Sequence, residues 1–214
     1  MILTPPLPSL ARWCAAVSRT ASGLQPGSVM LLAGTASVGI VTSVILVPDW
    51  GGILGAGLAV LMVAIAAADA RRFIIPDELS AAALILGLVY AVTEDRDVWA
   101  QALAWSAVRG AVSALIFLAV RVLYRRLRGR DGIGLGDVKL AGVAGVWLDW
   151  SFIPIAIELA AVAALGAYMI RHFYFRRVLR PTTRMPFGLF LAPAIWISWL
   201  LETTLLSYAA ASSL

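Results

Sequence analysis

Charge is scarce in this chain. Only 14% of its 214 residues are charged and 61% are hydrophobic, against about 25% charged and roughly 45–50% apolar in soluble domains. That balance excludes a water-soluble globular fold and predicts an integral membrane protein. Cysteine occurs once, as Cys14, and histidine once, as His172. With so few of either, disulfide pairing within the chain and a Cys/His zinc site are both excluded, and neither a metal nor a cofactor is expected. Lysine also occurs once, as Lys139, where a long stem is expected to snorkel toward lipid headgroups. The opening "MILTPPLPSL" has no basic stretch ahead of an apolar core, so a removable signal peptide is not expected.

Long apolar blocks take the place of charge, at 30–47, 52–68, 79–93, 101–123, 137–148, 152–170 and 187–207. A helix needs about 20 residues to cross the hydrocarbon and about 17 at the short end. The expected fold is therefore all-α and polytopic, with about seven transmembrane helices and six or eight as the bounds. The blocks at 79–93 and 137–148 are short and need residues from their flanks. The chain divides into an N-terminal cytoplasmic or interfacial segment over 1–29, a transmembrane domain over 30–207 and a tail over 208–214. Within the first, "PSLARWCAAVSR" reads either as a surface helix, with Trp13 and Val17 toward lipid and Arg12 and Arg19 toward water, or as a disordered lead-in.

Charges sort by loop. Arg71, Arg72, Arg125, Arg126, Arg128, Arg130, Arg171, Arg176, Arg177, Arg180 and Arg184 fall near 70–78, 124–136 and 171–186, whereas the intervening loops hold Arg96 among Asp49, Glu94, Asp95, Asp97 and Asp149. Arginine-rich loops stay cytoplasmic, which also places the N-terminus inside and, with seven spans, the C-terminus outside. Trp50, Trp99, Trp147 and Trp150 fall on the acidic side, where an outer aromatic belt is expected. The net charge of +5 thus reflects topology and anionic lipid, and gives no argument for nucleic acid.

On this topology two acids stand out. "AVLMVAIAAADARRFIIPDELS" carries a span into Asp69, and "GIGLGDVKLAGVAG" places Asp137 at the start of a later one. Both lie at similar depth on the cytoplasmic side, where ionisable residues are costly and mark function. Each has an ordinary alternative. Asp137 is a good helix N-cap, and Asp69 has Arg71 and Arg72 as pairing partners. Asp77 and Glu78, after Pro76, suit the first turn of a helix, and Asp131 is a solvated loop charge.

The combination carries more than its parts. "DARRFIIPDELS" resembles the segment of the prepilin and preflagellin peptidases in which an aspartate precedes an I/L-P-N/D motif. "GLGDVKLAGVAG" resembles their G-x-G-D-x-K-L signature, and "MPFGLFLAPAIW" their P-F-G-P-F-L-A segment. All three occur in the family's order, and the similarity extends over about residues 30–207. The resemblance implies an intramembrane aspartyl endopeptidase with Asp69 and Asp137 as the catalytic pair. Gly134, Gly136, Lys139, Pro76, Pro186 and Gly188 then form or support the substrate loop.

The chemistry suits two carboxylates. Held close together they cannot both ionise easily, so one proton is shared and the pair titrates as a unit. The ionised member activates water while the protonated one donates to the peptide carbonyl. The glycines Gly132, Gly134 and Gly136 are expected to permit backbone shapes closed to other residues and a close substrate approach. The implied substrate and partner is a pilin-like precursor, cut at the cytoplasmic face of a bacterial inner membrane between a short basic leader and an apolar helix. Asp77, Glu78 and Asp131 are the loop acids available to meet that leader.

Two departures from the family pattern are visible. Leu189 stands where a second proline is usual, which predicts altered local geometry without lost chemistry. The paired cysteines of the larger members' methyltransferase region are missing, which predicts peptidase activity alone.

A competing reading uses the membrane charges differently. Arg109 lies ten residues past Trp99, ~15 Å into the layer, and Glu158 eight past Trp150, ~12 Å from the same side. These depths predict an Arg109–Glu158 pair with Glu202 as rival partner. With Asp69 and Asp137 they would furnish the relay of a proton-coupled transporter, although no internal repeat of the kind such folds use is evident.

Overall fold

The computed structural model describes residues 26–94, 97–129, 132–175 and 186–212. Among these are seven α-helices and no strand: α1 Pro26–Leu46, α2 Trp50–Arg72, α3 Asp77–Glu94, α4 Trp99–Arg128, α5 Leu135–Trp147, α6 Phe152–Phe175 and α7 Gly188–Ser212. Each expected apolar block is one helix. The proposed N-terminal surface helix, Asp131, Arg130, Arg176, Arg177, Arg180 and Arg184 lie outside the described residues.

Five of the helices, α1, α2, α4, α6 and α7, are long and apolar enough to cross a membrane. Helix α3 reaches 18 residues by taking in Asp77, Glu78 and Glu94 from its flanks. Helix α5 stays at 13 residues, ~20 Å long against a hydrocarbon layer of ~30 Å. Protein encloses it instead. Every residue from Val138 to Trp147 except Lys139 is buried, as a helix apolar on all sides requires. Its neighbours are α4 above all, then α3 and α7.

A short enclosed helix leaves carbonyls stranded where no water reaches them, and α4 supplies the partners. The Ser106 hydroxyl donates to the Val146 carbonyl at 2.8 Å, and Arg109 Nε donates to that of Gly145 at 3.3 Å. The two backbones must approach closely for this. A Cβ on Gly145 would lie 2.4 Å from the Arg109 carbonyl oxygen, and one on Gly110 would lie 3.0 Å from that of Gly142. Small residues at a membrane helix interface permit this approach.

The core gathers around α5 and α7. Tyr90 and Trp147 stack at 5.1 Å between ring centroids, and Trp199 meets both edge-on at 6.0 Å. Trp147 therefore does not join the aromatic belt expected of it. It is buried and its indole N–H donates to the Ala83 carbonyl at 2.8 Å, because the helix it ends is wrapped by protein. Trp50, Trp99 and Trp150 are exposed.

The predicted Arg109–Glu158 pair is not formed. Arg109 Nη1 lies 3.4 Å from Asp149 Oδ1, and both Glu202 oxygens accept from the Asp149 amide at 3.1 and 3.2 Å. Glu158 is exposed on α6, a helix that packs on α7 rather than on α4. Depth arithmetic placed the two charges at one level but carried no information on which helices are neighbours.

Candidate functional site

The site is built from four helix ends. Helix α2 is capped by Phe73, whose amide donates to the Asp69 carbonyl at 2.9 Å while its backbone turns left-handed at φ 54°. Asp69 sits in that last turn with 6% of its surface exposed. Residues 73–76 then reverse the chain. The Pro76 carbonyl accepts from both the amide and the hydroxyl of Ser80 at 3.2 Å, which starts α3, with Asp77 and Glu78 in its first turn as expected.

Helix α7 begins against Asp69. The Leu189 amide donates to Asp69 Oδ2 at 2.9 Å, using one of the N–H groups that a helix start leaves without a partner. Gly188 makes room, since a Cβ there would lie 2.8 Å from the same oxygen. Leu189 thus has a consequence its side chain does not reveal, because a proline at this position would have no N–H to give. Pro186 and Phe187 lead in, and the Phe187 carbonyl accepts from the Phe190 and Leu191 amides at 3.0 and 2.9 Å.

Helix α5 begins at Leu135 with Gly134 as its cap, so Asp137 is the third helical residue rather than the cap itself. Its Oδ2 reaches back to accept from the Gly134 amide at 3.1 Å, the carboxylate half of a capping box. Gly134 is ordinarily extended at φ −72° and ψ 152°, and none of Gly132, Gly134 and Gly136 has positive φ. What these positions use is lack of bulk. Gly132 lies against the Tyr124 ring and Gly136 against Ile75. From α4, Arg121 Nη1 donates to the Ile133 carbonyl at 2.8 Å and ties the loop down.

Asp69 and Asp137, 68 positions apart in the chain, come into one neighbourhood here: Gly188, against Asp69, and Gly136, directly before Asp137, both pack on Ile75. Gly134 and Gly136 adjoin Asp137 and Gly188 adjoins Asp69, while Pro76 and Pro186 stand in the segments that lead into α3 and α7. Lys139 forms an ion pair with Asp77 that joins the start of α5 to the start of α3. Its partners are exposed, so it adds only ~0–1 kcal/mol of stability. Arg121, Tyr124 and the Leu189 amide were not singled out from the sequence. Ile75 appeared there only as the first residue of the I/L-P-N/D motif, with no role of its own.

Comparison with known proteins bears on this arrangement. Residues 56–169 match the model of the type IV leader peptidase family. The chain belongs to that family. It is 29% identical over 171 residues to the prepilin leader peptidase/N-methyltransferase of Aeromonas salmonicida, covering 78% of this chain and 55% of that protein. It is 31% identical over 176 residues to the same-named protein of Burkholderia pseudomallei, covering 81% and 54%. Over 127 residues it is 35% identical to the leader peptidase HopD of Escherichia coli, covering 59% and 78%. The chain therefore spans about half the length of the first two relatives. No solved structure matches it. The family match spans both aspartates, the glycine loop and Ile75, while Gly188 and Leu189 lie beyond it.

Proposed function

We propose that this membrane protein is an aspartyl endopeptidase that removes the short basic leader from pilin-like precursors, with Asp69 and Asp137 as its catalytic pair. The observation that supports the reading is that Asp69, in the last turn of α2, and Asp137, in the first turn of α5, border one packed cluster of Ile75, Gly136 and Gly188. One ionised carboxylate takes a proton from water as the water attacks the scissile carbonyl. The other, protonated, donates to the carbonyl oxygen; as the C–N bond of the tetrahedral intermediate breaks, the first carboxyl passes the proton it took from water to the departing amine and the second recovers a proton from the intermediate's hydroxyl, which restores both acids.

Each neighbour has a part in this reading. The Leu189 and Gly134 amides orient the two acids. Gly136 and Gly188 let three helix ends close in, and Pro76 and Pro186 set where α3 and α7 begin. The Lys139–Asp77 pair braces the rim, which leaves Glu78 the freer acid to meet a basic leader.

Arg71 and Arg72 end α2, and Arg125, Arg126 and Arg128 end α4, on the side of the bundle that holds the carboxylates. By the positive-inside rule this end faces the cytoplasm of the inner membrane, where a leader remains in water while the apolar segment lies among the helices. With one cysteine in the chain, peptidase activity alone is expected, and methylation of the product's new amino terminus by the purified protein would contradict that. A proton-coupled transporter is the weaker reading, since its Arg109–Glu158 link is not formed.

The test is co-expression with a tagged pilin-like precursor, following leader removal on a gel. Asp69→Asn and Asp137→Asn should each accumulate uncut precursor while reaching the membrane at normal levels. Cleavage by either variant would remove that aspartate from the mechanism.

A further inference from the structure

We propose that Ile75 is a positioning residue, a spacer whose side-chain bulk sets the gap between Asp69 and Asp137. It is 5% exposed and packs against the starts of both α5 and α7. A Cβ on Gly136 would lie 2.8 Å from Ile75 Cδ1 and 3.0 Å from its Cβ and Cγ1, and a Cβ on Gly188 would lie 2.7 Å from the same Cδ1. Gly136 directly precedes Asp137. Gly188 touches Asp69 and directly precedes Leu189, whose amide holds that carboxylate. The backbones that carry or hold the two acids therefore both rest on one isoleucine.

Ile75 has little freedom to yield. Its branched Cβ restricts χ1, and a residue before proline is confined to extended backbone. Two residues earlier Phe73 is in the left-handed region. Close-packed interiors transmit such constraints rather than absorb them. Ile75 thus acts through Gly136 and Gly188 and touches no reacting atom.

The kinetic test of this spacer rests on the peptidase reading, and it is a size swap. Gly136→Ala should lower kcat roughly tenfold to a hundredfold, with KM little changed, because misplacement on the ångström scale costs that much. Adding Ile75→Val deletes Cδ1, the nearest contact, and should recover several-fold of the lost kcat while staying below the intact enzyme, because Ile75 Cβ and Cγ1 remain 3.0 Å away; such coupling is expected only of residues in contact. Gly188→Ala should lower kcat as well, and Ile75→Val should not rescue it, because that Cβ also meets Asp69 Oδ2 at 2.8 Å. Failure to rescue Gly136→Ala, equal rescue of both alanine variants, or losses confined to KM would each overturn the spacer.

A second measurement needs no activity. In a Cys14→Ser background, Asp69→Cys/Asp137→Cys is treated with bifunctional thiol reagents of graded span, with Ile75 intact or changed to alanine. The span that crosslinks fastest should differ between the two, and an unchanged span overturns the proposal. If the intact chain cuts no precursor, the peptidase reading falls and the spacer is decided by crosslinking alone.

Discussion

The Leu189 amide makes the clearest case for reasoning at the scale of single residues. Its hydrogen bond to Asp69 comes from the second residue of α7, a position with no intrahelical partner for its N–H, so proline is tolerated there by the helix itself. Leu189→Pro therefore deletes one bond to one carboxylate. We expect kcat/KM for leader removal to fall about tenfold or more, as for loss of a hydrogen bond to a charged group, while Leu189→Ala stays within about twofold. Equal effects of the two substitutions would assign the loss to the side chain. For the acids themselves, Asp69→Asn and Asp137→Asn should each cost at least about a thousandfold in cleavage rate, and the double variant little more, since the pair works as a unit.

Among the elements, α5 is the one whose existence depends on its neighbours. Thirteen residues of ordinary apolar helix would be marginal alone, and its carbonyl end is completed by Ser106 and Arg109 from α4. Ser106→Ala leaves the Val146 carbonyl without that donor and should destabilise the membrane fold by about 1–3 kcal/mol, measured by reversible unfolding in detergent. Gly145→Val is expected to be worse, since even a Cβ meets the Arg109 carbonyl at 2.4 Å; overpacking of this kind costs ~1–3 kcal/mol or more. Substitution at Glu158, exposed on α6, should change stability less than substitution at Arg109, which holds both the Gly145 carbonyl and Asp149.

For the whole molecule the question is orientation. Four helix ends carry the site, and the opposite end carries Asp49, Asp149 and the exposed Trp50, Trp99 and Trp150. In a Cys14→Ser background, Asp77→Cys should be labelled by an impermeant thiol reagent from the cytoplasmic side only, and Asp149→Cys from the other side only. The reverse pattern would place the carboxylates outside and detach them from any cytoplasmic leader.

The sequence by itself determined the seven helices, because hydropathy is a property of consecutive residues and each block was continuous along the chain. It also determined that Asp69 and Asp137 share a level, since both adjoin span ends on the arginine-rich side. Only the tertiary structure decided which side chains meet across that level. Arg109 faces Asp149 instead of Glu158, Lys139 finds Asp77, and Trp147 turns inward, because lateral order in a bundle follows from how helices pack and not from depth. The same holds for Ile75 and the Leu189 amide. A spacer is defined by the two glycines that close on it, and a backbone donor by the carboxylate brought to it, and neither partner is a neighbour in the chain.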